Sequence, residues 1–237
     1  MPEGKMRNIT YAQAIRTAIR EEMKRDECVV LWGEDIGVYG GVYGATTGLQ
    51  REFGPDRVRD TPISAMAIVG MGVGAALLGL RPVVAIMYED FLSHAADGLV
   101  NQAAAQHSQS LEAFFCHIPG LKVVIPSNPA DAKGLLKAAI RDDNPVIYFE
   151  HKALFSMKGE VPEEEYLTPI GKAKVVREGK DVTLVSYSMT MNLSVKAADM
   201  LEKEGISVEL IDLRTNVVEW QDRQEFLKAS AKTKISF

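Results

Sequence analysis

Between Thr10 and Asp26 apolar residues recur at helical spacing, so that Ala14, Ile15, Ala18, Ile19 and Met23 share one face. Thr10 is placed to cap this helix, and Gln13, three residues on, completes a capping box. The period then changes. Cys28-Val29-Val30-Leu31-Trp32 is a continuous apolar run closed by Gly33, which predicts a strand covered on both faces. From Gly37 to Gly48 turn formers are too frequent for any regular element. A small-residue helix is predicted over Ser64–Leu80, a strand over Val83–Met87, and helices over Ser93–Ala105 and Ser110–Cys116. A strand over Leu121–Ile125, a helix over Ala130–Arg141 and a strand over Pro145–Phe149 follow. Strands alternating with helices predict βαβ units and a mostly parallel sheet.

The rhythm breaks at 151–169, where Pro162, Pro169 and the run Glu163-Glu164-Glu165 read as a linker. It restarts with a strand over Val182–Tyr187, a helix over Met189–Lys203, a turn at Gly205 and a strand over Ser207–Asp212. Asn216 to Phe237 is mixed and at best weakly helical. The expectation is therefore an α/β protein. A doubly wound, mostly parallel domain spans 1–152, a linker 153–169, the start of a second α/β domain 170–215, and a tail of unclear structure 216–237.

Composition narrows the chemistry. The 237 residues are 46% hydrophobic and 25% charged, which excludes disordered, collagen-like and coiled-coil classes. A net charge of -5 argues against a nucleic-acid partner held by a basic surface. Two cysteines, Cys28 and Cys116, make no disulfide framework, so a reducing cytoplasmic location is expected. No apolar run is long enough for a membrane span, and Met1-Pro2-Glu3-Gly4-Lys5 lacks a signal peptide's apolar core. No P-loop, zinc-spaced His or Cys pair, or Gly-x-Ser-x-Gly elbow occurs. Gly70-Met71-Gly72-Val73-Gly74 has dinucleotide-loop spacing, but its helix runs through the glycines and its strand comes afterwards. Close helix packing is the preferred reading. Of the four histidines, His107 stands out, because it lies among small and amide residues where an imidazole can titrate near neutral pH.

Six motifs then occur in order: Asp60-Thr61-Pro62-Ile63-Ser64, Gly79-Leu80-Arg81-Pro82-Val83, Tyr88-Glu89-Asp90-Phe91, Ala105-Gln106-His107-Ser108-Gln109-Ser110, Pro119-Gly120-Leu121-Lys122-Val123-Val124 and Ala139-Ile140-Arg141-Asp142-Asp143-Asn144-Pro145. Together they resemble the beta subunit of the thiamine-diphosphate-dependent 2-oxo acid dehydrogenases, over roughly Asn8 to Thr215. The resemblance implies a pyrimidine-binding α/β domain followed by a transketolase-type C-terminal domain. It implies oxidative decarboxylation of a 2-oxo acid and acyl transfer to lipoamide, on thiamine diphosphate shared with an alpha subunit that holds Mg2+. The implied partners are that alpha subunit, in an assembly of two alpha and two beta chains, and a lipoyl acyltransferase core.

It also assigns residues. His107 corresponds to the family's active-site histidine, Met87 and Phe91 to residues lining and stacking on the aminopyrimidine, and Glu34 to an acidic residue near the cofactor. Met87, Phe91 and Glu34 each have a plainer reading, as strand-end core, helix-start core and solvated loop charge respectively. Ala139, Ile140, Asp142 and Asn144 match a segment whose oxygens hold a structural K+ in the family; otherwise they form a helix end and a turn.

The chain departs from the pattern at four places. Ala65 occupies the position of the glutamate that protonates the aminopyrimidine, and Ala85 replaces another usual glutamate. A glycine-rich segment is missing between Ala104 and Ala105, and most of the C-terminal domain is missing after Thr215. An alternative of a different class therefore stands beside the enzyme subunit: a non-catalytic homologue serving as a structural or interaction subunit.

Overall fold

The computed structural model describes residues 5–88, 91 and 110–215. It divides into two compact units: Ala12–Phe114, and Met1–Tyr11 together with Phe115–Phe237.

In the first unit, helix α1 (Tyr11–Arg25) buries the face read from its spacing: Ala14, Ile15, Ala18, Ile19 and Met23 are all nearly inaccessible. The strands are β2 (Val29–Gly33), β3 (Val58–Asp60) and β4 (Arg81–Ala85), in the order β3-β2-β4 and parallel throughout. β4 starts two residues before the predicted strand, and Cys28 is exposed. Arg57 joins α1 to the sheet: its guanidinium donates to the carbonyls of Met23, Asp26 and Val29. The short helix α2 (Leu49–Phe53) is tied to α1 by Arg20 and Lys24, which pair with Glu52 and hold its carboxyl below the usual range. As expected, 37–48 forms turns, with Gly40, Gly41, Gly44 and Gly48 in the left-handed region.

Helix α3 (Ala65–Leu77) lies on β2 and β4. A Cβ on Gly72 would meet Val84 Cγ2 at 2.8 Å, so this glycine lets helix and strand approach. Among the described residues nothing lies within 4 Å of a Cβ placed on Gly70 or Gly74, and Gly72 is the glycine of this helix that shows the close approach. Trp32 Nε1 donates to the Ile68 carbonyl at 3.1 Å and locks the same contact.

The second unit contains β1 (Met6–Thr10), which pairs antiparallel with β7 (Lys158–Pro162). The stretch read as a linker thus holds a strand, and a short 3-10 helix at Lys152–Leu154. Helix α4 (Glu112–Cys116) precedes β5 (Lys122–Val124), which runs parallel to β6 (Val146–Tyr148). Between them α5 (Pro129–Arg141) begins at an N-cap in which Asn128 Oδ1 accepts the Asp131 N–H. Its lysines Lys133 and Lys137 are buried; Lys137 pairs with Glu165 at 2.5 Å, and Lys133 lies over the Tyr166 ring. The last sheet has the order β8-β10-β9, from β8 (Lys174–Arg177), β9 (Val182–Ser186) and β10 (Val208–Asp212). β9 and β10 are parallel around α6 (Ser188–Lys203), and β8 is an antiparallel edge that the sequence pattern does not announce. Met191, Ala198, Val208 and Leu210 form the core of this sheet.

Candidate functional site

In a parallel α/β sheet, ligands bind outside the carboxyl ends of the strands, where the connections leave a crevice. The β3-β2-β4 sheet sends its candidate residues to that edge. Glu34 directly follows β2, Ala65 opens α3 after β3, and Met87 follows β4. The edge is held by backbone contacts: the Thr61 N–H donates to the Gly33 carbonyl at 3.0 Å, and Gly33 sits opposite Ala85. A Cβ on Gly33 would lie 2.9 Å from that of Ala85 and nearer still to its carbonyl oxygen, so only glycine lets β2 and β4 close here. Asp60 accepts the Gly37 N–H at 2.6 Å and so fixes the start of the glycine-rich loop.

Glu34 and Met87 are half-buried, and Ala65 is 5% exposed. Ser64 occupies the N-cap of α3 without a capping hydrogen bond from its side chain. Phe91 is half-buried and meets the Tyr88 ring edge-on at 6.1 Å. Tyr88 in turn hydrogen-bonds Tyr43, which raises the Tyr43 phenol above its ordinary value. Sequence reasoning left Tyr43 and Thr61 unassigned. The Thr61 hydroxyl is buried with no hydrogen-bond partner among the described residues, and its place inside the Asp60–Ser64 motif was the signal available. His107 lies outside the described residues.

In the other unit, Ala139, Ile140, Asp142 and Asn144 gather at the carboxyl end of α5. The Ala139 carbonyl accepts the Asp142 N–H at 3.2 Å. Asp142 Oδ1 accepts both the backbone N–H of Asn144, at 2.9 Å, and its side-chain amide, at 3.1 Å. Oδ2 accepts the Lys122 ammonium at 2.5 Å. Burial would raise the Asp142 carboxyl, but Lys122 and Asn144 hold it below the ordinary range. Both carboxylate oxygens are therefore engaged, one of them by a cation that belongs to the chain.

A second polar cluster lies beside the amino ends of α5 and α6. Arg214 Nη2 pairs with Asp131 Oδ1 at 2.8 Å, with the two side chains 12% and 6% exposed. Asp131 Oδ2 also accepts from Asn128, at 2.7 Å. Ser127 donates its hydroxyl to Asp212, and Asn192 donates to the Ser127 carbonyl at 3.0 Å. The Ile125 N–H donates to the Arg214 carbonyl, and Val124 bridges Thr215. Burial pushes the Asp212 carboxyl up, opposed by Ser127 and by the Arg214 N–H.

The fold is of the transketolase type. The transketolase pyrimidine-binding domain family matches residues 7–104 and 92–157, and the transketolase C-terminal domain family matches 171–236. A split-gene transketolase, solved as an inactive beta4 tetramer, shares the fold at a TM-score of 0.74 over 95% of this chain and 76% of its own, with 20% identity. Transketolase of Pichia stipitis superposes at 0.64 with 15% identity, over 88% of this chain and 35% of its own.

Sequence relatives go further. The 2-oxoisovalerate dehydrogenase subunit beta of Bacillus subtilis (strain 168) is 44% identical over 253 positions, covering 95% of this chain and 77% of the relative. The pyruvate dehydrogenase E1 component subunit beta of Rhizobium meliloti (strain 1021) is 46% identical over 244 positions, covering 91% and 53%; that of Bacillus subtilis is 45% identical, covering 89% and 73%. The chain belongs to the family of beta subunits of the 2-oxo acid dehydrogenase E1 components, and so is an enzyme subunit. Two of these alignments, at 253 and 244 positions, are longer than the 237-residue chain, so these relatives carry residues inside the aligned stretch that this chain lacks. Among the described residues, no helix is long and apolar enough to cross a membrane.

Proposed function

We propose that this chain pairs with an alpha-type subunit in a decarboxylase component that acts on a 2-oxo acid and delivers the acyl group to a lipoyl acyltransferase core. The observation that carries this reading is the carboxyl edge of the β3-β2-β4 sheet, where Glu34, Thr61, Ala65 and Met87 follow three adjacent parallel strands. The apolar side chains of Met87 and Phe91 suit an aminopyrimidine ring, and the unpartnered Thr61 hydroxyl and the Glu34 carboxylate suit its polar rim. Position 65 does not fit. A buried methyl group cannot hold a proton at the ring nitrogen, so this chain would bind the cofactor without supplying that acid. Thiamine diphosphate, when bound, supplies the carbanion chemistry of decarboxylation. His107 would assist decarboxylation and acyl transfer through its imidazole.

No Gly-Asp-Gly with a downstream asparagine is present, so the Mg2+ and diphosphate ligands would come from the alpha subunit. The family matches at 7–157 and 171–236 support a pyrimidine-type domain over 1–152, a connection over 153–169 and the start of a C-terminal-type domain over 170–215, and the second match also takes in 216–236, read above as a tail of unclear structure. The carboxyl end of α5 would take K+ at the carbonyls of Ala139 and Ile140 with Asp142 and Asn144, once Lys122 leaves Asp142. A cytoplasmic location accords with the two free cysteines. Coexpression with an alpha-type subunit and sedimentation analysis tests the pairing. A species of two alpha and two beta chains is expected, and a chain that never cosediments with alpha contradicts it.

A further inference from the structure

We infer that Tyr43 and Tyr88 are positioning residues: the bond between their hydroxyls clamps the crown of the glycine-rich loop 37–48 to the exit of β4, and so fixes one wall of the cleft at the carboxyl edge of the β3-β2-β4 sheet. The inference rests on the reading of that edge as a cofactor site, and it names two side chains that set the site's affinity.

The loop is built as one body. It follows the carboxyl end of β2, and its first amide, the Gly37 N–H, is held by Asp60 at the end of β3. Its other bonds close it on itself. The Gly41 N–H donates to the Asp35 carbonyl at 2.8 Å, the Thr46 N–H to the Gly40 carbonyl at 3.1 Å, and the Thr46 hydroxyl to the Ile36 carbonyl at 2.8 Å. Gly40, with φ near 85°, lies so close to Thr47 that an added Cβ would stand 2.7 Å from its Cα. A loop closed in this way shifts as a unit about its two ends. Tyr43 stands between those ends, inside the turn that the Gly44 N–H closes on the Gly41 carbonyl at 3.0 Å. Val38, Tyr39 and Val42 beside it are exposed, so apolar burial does little to hold the crown.

The crown is held from the neighbouring strand. β2 and β4 are adjacent and parallel, with Gly33 opposite Ala85, so their exits border one crevice. The first exit leads into the loop and the second into Met87 and Tyr88. The Tyr43–Tyr88 bond joins the two, and it raises the Tyr43 phenol, as donation to the Tyr88 oxygen does. Tyr88 also holds Phe91. The rings meet edge-on at 6.1 Å and 79°, and the Tyr88 carbonyl accepts the Phe91 N–H at 3.1 Å. One side chain thus links the loop crown to the ring that suits an aminopyrimidine. Phenylalanine at 43 or 88 would keep the ring and its packing, so what the hydroxyls add is direction.

Tyr43→Phe, Tyr88→Phe and the double variant test the clamp, in the full chain and in the pair with an alpha-type subunit. In NMR of chain labelled at tyrosine Cζ, the signal lost in Tyr43→Phe identifies that phenol. It should titrate above the ordinary range in the parent and move back toward it in Tyr88→Phe. Hydrogen exchange at the Gly41, Gly44 and Thr46 amides should speed about two- to tenfold in either single variant, the net worth of one neutral hydrogen bond, while the Leu31 amide in β2 stays as it was. The double variant should be no worse than either single, because both remove the same bond. In the pair, the Kd for magnesium thiamine diphosphate should rise by the same factor. Unchanged loop exchange, an unmoved Tyr43 titration or additive losses in the double variant would overturn the inference. So would an unchanged Kd in variants of a pair whose parent binds the cofactor. A parent pair that binds none would refute the reading of the edge itself, and this inference with it.

Discussion

Replacing Arg214 by methionine removes the counter-charge of Asp131 while keeping a side chain of similar length. Arg214 already has φ near 59°, a conformation equally unfavourable for methionine, so the backbone strain is unchanged. What changes is electrostatic. The Asp131–Arg214 pair is closed at 2.8 Å with both groups almost fully covered, and Asp212 lies in the same cluster. Breaking a buried pair from one side typically costs about 3–5 kcal/mol, since the remaining charge keeps its desolvation penalty. For a chain of this size that lowers Tm by roughly 6–20 °C. The pH dependence has a definite sign. Asp212 has a folded value above its unfolded one, so its ionisation opposes folding, and the arginine charge relieves this. The variant's deficit should therefore grow as pH rises from about 4 through the raised Asp212 value, and shrink in acid. Urea titrations followed by circular dichroism at several pH values measure it. Asp131→Asn added to Arg214→Met should recover much of the loss. A deficit below about 1 kcal/mol, as for an exposed pair, would refute the reasoning.

Ala65→Glu, in a pair with an alpha subunit, should speed deuterium exchange at the thiazolium carbon of bound cofactor by about 10²–10⁴-fold, the usual range for a positioned acid–base group; equal exchange in both proteins would remove position 65 from that role. Lys122→Met should free Asp142 for K+, so that KCl raises the variant's stability over equal NaCl by about 1 kcal/mol, as ligand linkage predicts at roughly five times Kd. The parent should not distinguish the salts, and no salt difference in the variant would contradict the site. Because Asp142 is held low in the parent, its contribution is present above the unfolded value and lost as acid titrates the folded group, and the variant should show less of this loss. Gly33→Ala must push β2 from the Ala85 backbone and should cost about 1–3 kcal/mol in urea titrations; a neutral effect would mean the strands are not closed there.

The parts of the fold that the sequence announces are those fixed by local pattern. The apolar face of α1, the continuous run of β2 and the proline-led α5 each carry their own signal. The strands it hides are set by partners far away. β7 contains Gly159 and Pro162 and has little intrinsic strand preference; it exists because β1 pairs with it residue for residue and because Gly159 admits the Pro129 ring. β8 is short, mostly exposed and bounded by Lys174 and Arg177, so no alternation marks it as the edge of β10. Of the candidate site, the motifs propose Glu34, Ala65, Met87 and Phe91 through their resemblance to a family, and topology puts three of them after the ends of parallel strands. The Lys122–Asp142 pair was not legible, because twenty positions separate the partners and only the fold of α5 onto β5 and β6 brings them together.

The central claim is that this chain supplies half of a cofactor site and an alpha subunit the other half. Calorimetric titration of magnesium thiamine diphosphate into the isolated chain and into the alpha–beta pair tests it directly. Saturable binding to the pair and none to the isolated chain is the expected result. Tight binding to the isolated chain, or heat in the pair no greater than that of alpha alone, would contradict it.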